Sequence, residues 1–128
     1  MKSGFDLEHR LLVYAARVIK LVDKLPTTRA NNHIAKQLLG SGTSPLPNHG
    51  EAQSAESRAD FVHKLRVCLK ELRESHRWLK LILLARLMKD PQEALELAKE
   101  TDELIRIFVK SVSTARKKDQ SWIPGETQ

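Results

Sequence analysis

Five cations recur at helical spacing in the middle of the chain: Arg66, Lys70, Arg73, Arg77 and Lys80 advance by four, three, four and three residues. At 100° per residue they fall within an arc of about 80°, while Asp60, Glu71 and Glu74 lie on another face. A ridge of this kind suits a phosphate backbone, whose negative charges repeat along a line and release counterions when neutralised. Arg10, Arg17, Lys20 and Lys24 share an arc nearer the N-terminus, and Lys99, Arg106, Lys110 and Lys117 share one further on. The plain alternative for any single stripe is a solvated helix face, because lysine and arginine are ordinary helix formers. Against it, moving the acids away from the bases between Phe61 and Lys89 gives up favourable i,i+4 neighbours that a merely solvated face keeps. No aromatic residues interleave with the cations and no groove-reading motif is present, so the chemistry expected is backbone contact without base readout.

Other chemistry is poorly supported. His9, His33, His49, His63 and His76 are scattered and form neither an i,i+4 pair nor a cluster with cysteine, so no metal site is expected. Cys68 lies on an apolar seam, where a buried small hydrophobe is the ordinary reading and a reactive thiolate needs an electropositive, open setting. The run Gly40-Ser41-Gly42 lacks the lysine and hydroxyl residue of a phosphate loop. Glu51 and Asp60 are a conceivable carboxylate pair for hydrolysis, yet as caps of neighbouring helix ends they need no substrate. The expectation is a protein that is not an enzyme, with no cofactor, metal or small-molecule substrate.

The 128 residues carry 22 Lys+Arg against 16 Asp+Glu, a net charge of +6, with 41% hydrophobic and 5% aromatic content. That length fits one domain with one core. The excess of positive charge favours polyanionic partners. A single cysteine fits a reducing compartment, and the first ten residues lack the features of a secretory leader, so a cytoplasmic protein is expected. The longest apolar block, Leu81 to Leu84, is far short of the roughly 20 residues that span a bilayer, so no membrane partner is expected.

Four helices are needed to position these residues. Leu7, Leu11, Tyr14, Val18, Leu21 and Leu25 form a near-heptad seam that Asp6 caps and Pro26 ends. A second helix is expected from an Asn31 or Asn32 cap, with Ile34, Leu38 and Leu39 inward. The prolines of GTSPLPNHG, residues 42–50, predict a break. The third and longest helix starts at Ser57, with Asp60 three residues on, and meets no breaker before Pro91. Its seam is Phe61, Leu65, Cys68, Leu72, Leu79 and Leu83. Asp90, Pro91 and Glu93 open the fourth, which repeats Ala94, Ala98, Thr101, Ile105, Phe108 and Val112. The domain is expected over residues 1–118, with 119–128 a frayed tail.

Four amphipathic helices with short connections predict an all-α, antiparallel up-and-down four-helix bundle. In the second half of the third helix, Trp78, Leu81, Ile82, Leu84 and Met88 help spread apolar surface around nearly the whole circumference, wider than one buried stripe. This predicts a homo-oligomer joined through those residues.

The segment Gly42-Thr43-Ser44, Asn48, Glu51-Ala52-Gln53 and Ser57 to Phe61 resembles the bacterial four-helix-bundle family encoded in 23S rRNA intervening sequences, which also carries a ribosomal-protein-like description. The resemblance implies a left-handed bundle, a pentameric ring, a cytoplasmic location and no known catalytic activity, and it places Asn48, Glu51, Ser57 and Asp60 in a structural motif. More distantly the chain is similar to accessory variability proteins of diversity-generating retroelements, whose pentamers partner a reverse transcriptase and nucleic acid. Pro45, Leu46 and Pro47 depart from the family's helix-compatible run.

The functional expectation is a basic oligomeric bundle that binds RNA or DNA backbones non-specifically through Arg66, Lys70, Arg73, Arg77 and Lys80, with Arg10, Arg17, Lys20 and Lys24 as a second patch. The alternative is a structural oligomer acting as an adaptor for a partner enzyme such as a polymerase or reverse transcriptase.

Overall fold

A computed structural model describes residues 6–120, which are all-helical and contain no strand. Five helical segments follow one another: α1 (Leu7–Lys24), α2 (Arg29–Thr43), α3 (Pro45–Gln53), α4 (Arg58–Leu84) and α5 (Gln92–Gln120). α2 and α3 act as one interrupted rod, which makes four rods in an up-and-down bundle. α1 packs on α2, α3 and α5, and α4 packs on the same three helices, so α1 and α4 occupy one diagonal of the bundle.

Local chemistry sets most boundaries. Asp6 accepts the His9 N–H at 3.0 Å and starts α1. Ser57 does the same for Asp60 at 3.0 Å, and Asp90 for the Gln92 N–H at 3.0 Å. Each satisfies one of the orphan donors of a first turn. The first-helix seam is buried from Leu11 through Leu25.

Four boundaries differ from the sequence expectation. α2 is capped by Thr28, whose hydroxyl accepts the Asn31 N–H at 3.0 Å. Asn31 is instead buried, its amide donating to the Pro26 carbonyl at 2.9 Å, which ties the α1–α2 turn together. Leu39, expected inward, is 39% exposed.

The break expected over residues 42–50 is replaced by near-continuous helix. Ser44 stays right-handed helical at φ −63°, ψ −37°, and Pro45 opens α3 at a position where its missing N–H is tolerated. Two contacts hold the interruption: the Asn48 amide donates to the Ser44 carbonyl and hydroxyl, each at 3.0 Å, and the Cys68 thiol donates to the Pro45 carbonyl at 3.6 Å. Burial of Pro45, His49 and Ala52 outweighs the local penalty on the residue before proline.

α4 ends at Leu84, short of Pro91. Leu87 donates to the Ile82 carbonyl at 3.1 Å and Arg86 to the Leu83 carbonyl at 3.2 Å, the paired bonds of a Schellman stop. Arg86 takes the left-handed position at φ 53°, a place usually held by glycine, which is why no breaker was visible. α5 runs two residues past the expected domain end, and the rest of the expected tail lies outside the described residues.

The core runs the length of the bundle, from Leu65, Val112 and Ala115 at one end to Ile82, Ala94 and Leu97 at the other. Across its middle lies a layer of hydroxyls, one from each rod. Tyr14 from α1 lies 2.6 Å from Thr101 of α5, and Ser41 from α2 lies 2.8 Å from Ser75 of α4. Thr101 donates to the Leu97 carbonyl at 2.6 Å, so Tyr14 is the donor within its pair, while Ser75 and Ser41 also have backbone acceptors in the carbonyls of Glu71 at 3.0 Å and Leu38 at 3.4 Å. Every hydroxyl is satisfied, and the layer fixes which residues sit opposite one another.

Candidate nucleic-acid interface

The third-helix ridge falls on α4, whose inward face is occupied by Leu65, Cys68, Leu72, Ser75, Leu79 and Ile82. Arg66, Lys70, Arg73, Arg77 and Lys80 are therefore turned outward, and all five are exposed. They span about 21 Å of helix axis at 1.5 Å per residue. Among the described residues none of the five takes part in an ion pair. Glu71 and Glu74 flank the ridge toward α2. Burial, with help from Glu74, pushes the Glu71 carboxyl up, and Glu74 accepts the Trp78 indole N–H at 3.4 Å.

The second patch is divided. Arg10 reaches across to α5, donating to Glu100 at 2.7 Å through two nitrogens and to Glu103 at 3.3 Å. These carboxylates hold its guanidinium above its ordinary range. Lys24 bonds Glu93 at 2.7 Å. Both cations fasten α1 to α5 and are neutralised within the fold, so they do not belong to a free cationic surface. Lys20 is exposed and Arg17 half-buried, and among the described residues neither is ion-paired. On α5, Arg106 pairs with Asp102 at 2.9 Å.

The residues expected to join subunits are also divided. Ile82 is a correction: it is 1% exposed, enclosed within the protomer's own core. Trp78 and Met88 are half-buried against that core, and Trp78 meets His33 of α2 edge to face at 6.1 Å. Leu81 remains exposed and Leu84 is 83% exposed. The apolar circumference read from sequence is thus largely absorbed by α5 and by the turn that folds Leu87 back onto the core. Leu12 and Ile19 on α1 and Leu39 on α2 are exposed apolar side chains outside the expected interface.

The motif residues make bonds within the chain. Asn48 staples the α2–α3 interruption rather than capping a helix. Glu51 bonds Lys64 at 2.6 Å, joining α3 to α4 and raising the Lys64 pKa, so it is not a cap either. Ser57 caps α4, and Asp60 supplies the capped N–H and first-turn negative charge. Gly42 is buried where a methyl would meet Val18, so the glycine permits close approach of α1 and α2. Cys68 is buried, and desolvation pushes its thiol up to about 12. Among the described residues no group of three His, Cys, Asp or Glu side chains converges as a metal site, and no helix is long and apolar enough to cross a membrane.

A family model described as 23S rRNA-intervening sequence protein matches residues 9–110. The chain belongs to that family. A protein of unknown function from the S23 ribosomal protein family of Bacteroides thetaiotaomicron, solved as a crystal structure, is 29% identical, with a TM-score of 0.77 over 84% of this chain and 98% of that one. No curated protein matches the chain. In this intervening-sequence protein the matched span takes in the G-T-S segment, the Ser57 cap and the entire α4 ridge, while Arg116 and Lys117 lie beyond it.

Proposed function

We propose that this intervening-sequence protein is a non-enzymatic, cytoplasmic nucleic-acid-binding bundle whose α4 ridge grips phosphate backbones without reading sequence. The observation that carries the reading is the contrast between cations. Arg10, Lys24, Lys64 and Arg106 each bond a carboxylate, whereas the five ridge cations are exposed and unpaired among the described residues. A charged row left free in this way complements a polyanion. Self-association through Leu81 and Leu84, into the pentamer that the family resemblance implies, sets several ridges side by side and multiplies the field.

The test is fluorescence anisotropy of a labelled RNA and the matching DNA, titrated at several salt concentrations. Five neutralised phosphates give a slope of log affinity against log salt near about −4.5 for duplex DNA and about −3.5 for a single strand. Between 50 and 200 mM salt, duplex affinity falls about 500-fold. Arg73→Gln with Arg77→Gln lowers the slope by about 2, similarly for every sequence. Affinity indifferent to salt, or an unchanged curve for the double variant, refutes the reading. Light scattering decides the oligomer, and a 14.6 kDa species at micromolar concentration removes that part of it.

A further inference from the structure

A pocket of about 380 Å³ opens between the middle of α4 and the second half of α5. Arg73 lines it from α4, and Ser113, Arg116 and Lys117 line it from α5. Its floor includes Leu69 and Val109, the latter 42% exposed. Helical spacing explains why these residues line one groove. Leu69 and Arg73 are i,i+4 on one helix, Val109, Ser113 and Arg116 are i,i+4,i+7 on the other, and the antiparallel packing brings the two rows together. No carboxylate lines this pocket, and among the described residues none pairs with its three cations. Sequence spacing alone places Lys117 on an outward arc and gives Arg116 no role, because the groove they share with Arg73 is a property of the packed pair of helices.

Three like charges in one concavity are mutually repulsive unless an anion joins them. A backbone phosphodiester brings a single negative charge, whereas a phosphomonoester carries about −1.5 to −2 at neutral pH and three strong acceptor oxygens. The two arginines suit it, because a guanidinium fork can grip two phosphate oxygens at once. A bare phosphate ion has no use for a floor made by half-buried Leu69 and exposed Val109, so the ligand has a carbon body that lies against it.

We propose that this pocket binds a nucleoside monophosphate group, its phosphate held by Arg73, Arg116, Lys117 and Ser113 and its sugar and base laid over Leu69 and Val109, and that its source is the phosphorylated end of a nucleic-acid strand. The strand-end assignment rests on the nucleic-acid reading above, while the phosphate chemistry stands on the pocket. The α4 ridge then holds the body of the strand and the pocket holds its terminus.

The experiment compares one fluorescent single-stranded oligonucleotide carrying a 5′-phosphate, a 3′-phosphate or neither, on the wild-type chain and on Arg116→Gln with Lys117→Gln. Adenosine 5′-monophosphate alone, followed by calorimetry, is the second arm. One charge-assisted hydrogen bond to the terminal phosphate gives about a tenfold preference for one phosphorylated end on the wild type, and the double variant loses it. Equal affinity for phosphorylated and unphosphorylated strands, with steep salt dependence retained, overturns the pocket assignment and leaves the ridge reading standing. A preference that persists in the double variant also overturns it, since general electrostatics then explains the difference. Binding of adenosine 5′-monophosphate that depends on Arg116 and Lys117, with no oligonucleotide binding, rejects the strand end as the source and refutes the ridge reading, leaving a free nucleotide in the pocket.

Discussion

Two glycines on one helix should respond to alanine in opposite ways. A methyl built at Gly42 stands 2.7 and 2.8 Å from the Cγ2 and Cγ1 methyls of Val18, which is fully buried, while a methyl at Gly40 meets nothing within 4 Å. Val18 cannot swing aside, because a β-branched side chain in a helix has essentially one rotamer. Gly40→Ala therefore collects only the gain in helix propensity and stabilises the chain by about 0.5–1 kcal/mol. Gly42→Ala collects a similar gain against an overpacking cost of about 1–3 kcal/mol, so it falls below Gly40→Ala by about 2 kcal/mol. Urea unfolding of the two variants reads this difference directly. Adding Val18→Ala to Gly42→Ala should recover stability relative to the sum of the single changes, with a coupling of about 1–2 kcal/mol. If Gly42→Ala stabilises the chain as much as Gly40→Ala does, the close approach of α1 and α2 is not what the glycine serves.

Tyr14 is the only tyrosine in the chain, and burial, opposed by its hydroxyl partners, pushes its phenol up to about 12. Phenolate absorbance of the folded protein should stay absent at pH 10, and its stability should fall as pH climbs from about 10 toward 12; titration near 10 would place the ring in water. Arg86→Gly relieves the left-handed strain at φ 53° and should stabilise α4 by about 1 kcal/mol in thermal unfolding; no gain would mean that the Arg86 side chain holds the turn. Desolvation lowers the His49 pKa despite Glu8 and Asp6. The unfolded chain then binds the proton more readily, so stability is full above about pH 6.5 and declines as pH falls below it. His49→Leu should flatten that slope in urea midpoints measured from pH 7.5 to 5, and an unchanged slope would assign it to other groups.

The sequence made legible what depends on neighbours within a helix. The Leu11 to Leu25 seam, the caps at Asp6, Ser57 and Asp90 and the outward ridge of α4 all follow from local spacing, and each is found. Other features were illegible because packing, or backbone bonding that residue type does not announce, decides them. Pro45 and Pro47 read as a break, yet packing of Pro45 and Asn48's bonds to Ser44 keep that stretch helical. Arg86 offers no stop signal, since the paired backbone bonds and the return of Leu87 end α4 without a glycine. Arg10 and Lys24 looked like their unpaired counterparts on α4, and only the antiparallel seating of α5 shows that Glu100 and Glu93 claim them. Ile82 was misplaced for the same reason: the face it shares with Ser75 and Leu79 is closed by this chain's own helices.

The unpaired ridge also has a thermodynamic consequence that separates binding from structure. Arg66 and Lys70, Lys70 and Arg73, and Arg73 and Arg77 are like-charge neighbours three or four residues apart, each repelling by about 0.2–0.5 kcal/mol. Residues three or four away from Arg66 and Arg73 include no acid, so Arg66→Gln with Arg73→Gln removes three repulsions and no attraction. The double variant should be more stable by about 1 kcal/mol at low salt, a rise in Tm of a few degrees that shrinks as salt screens the repulsion. Over the same interval it should bind nucleic acid more weakly. A side chain kept for packing or for an ion pair behaves in the opposite way, as neutralising Arg10 should show by lowering Tm through the abandoned Glu100. If neutralising Arg66 and Arg73 lowers Tm instead, these cations belong to the fold, and the ridge loses its claim to be a surface kept for binding at the expense of stability.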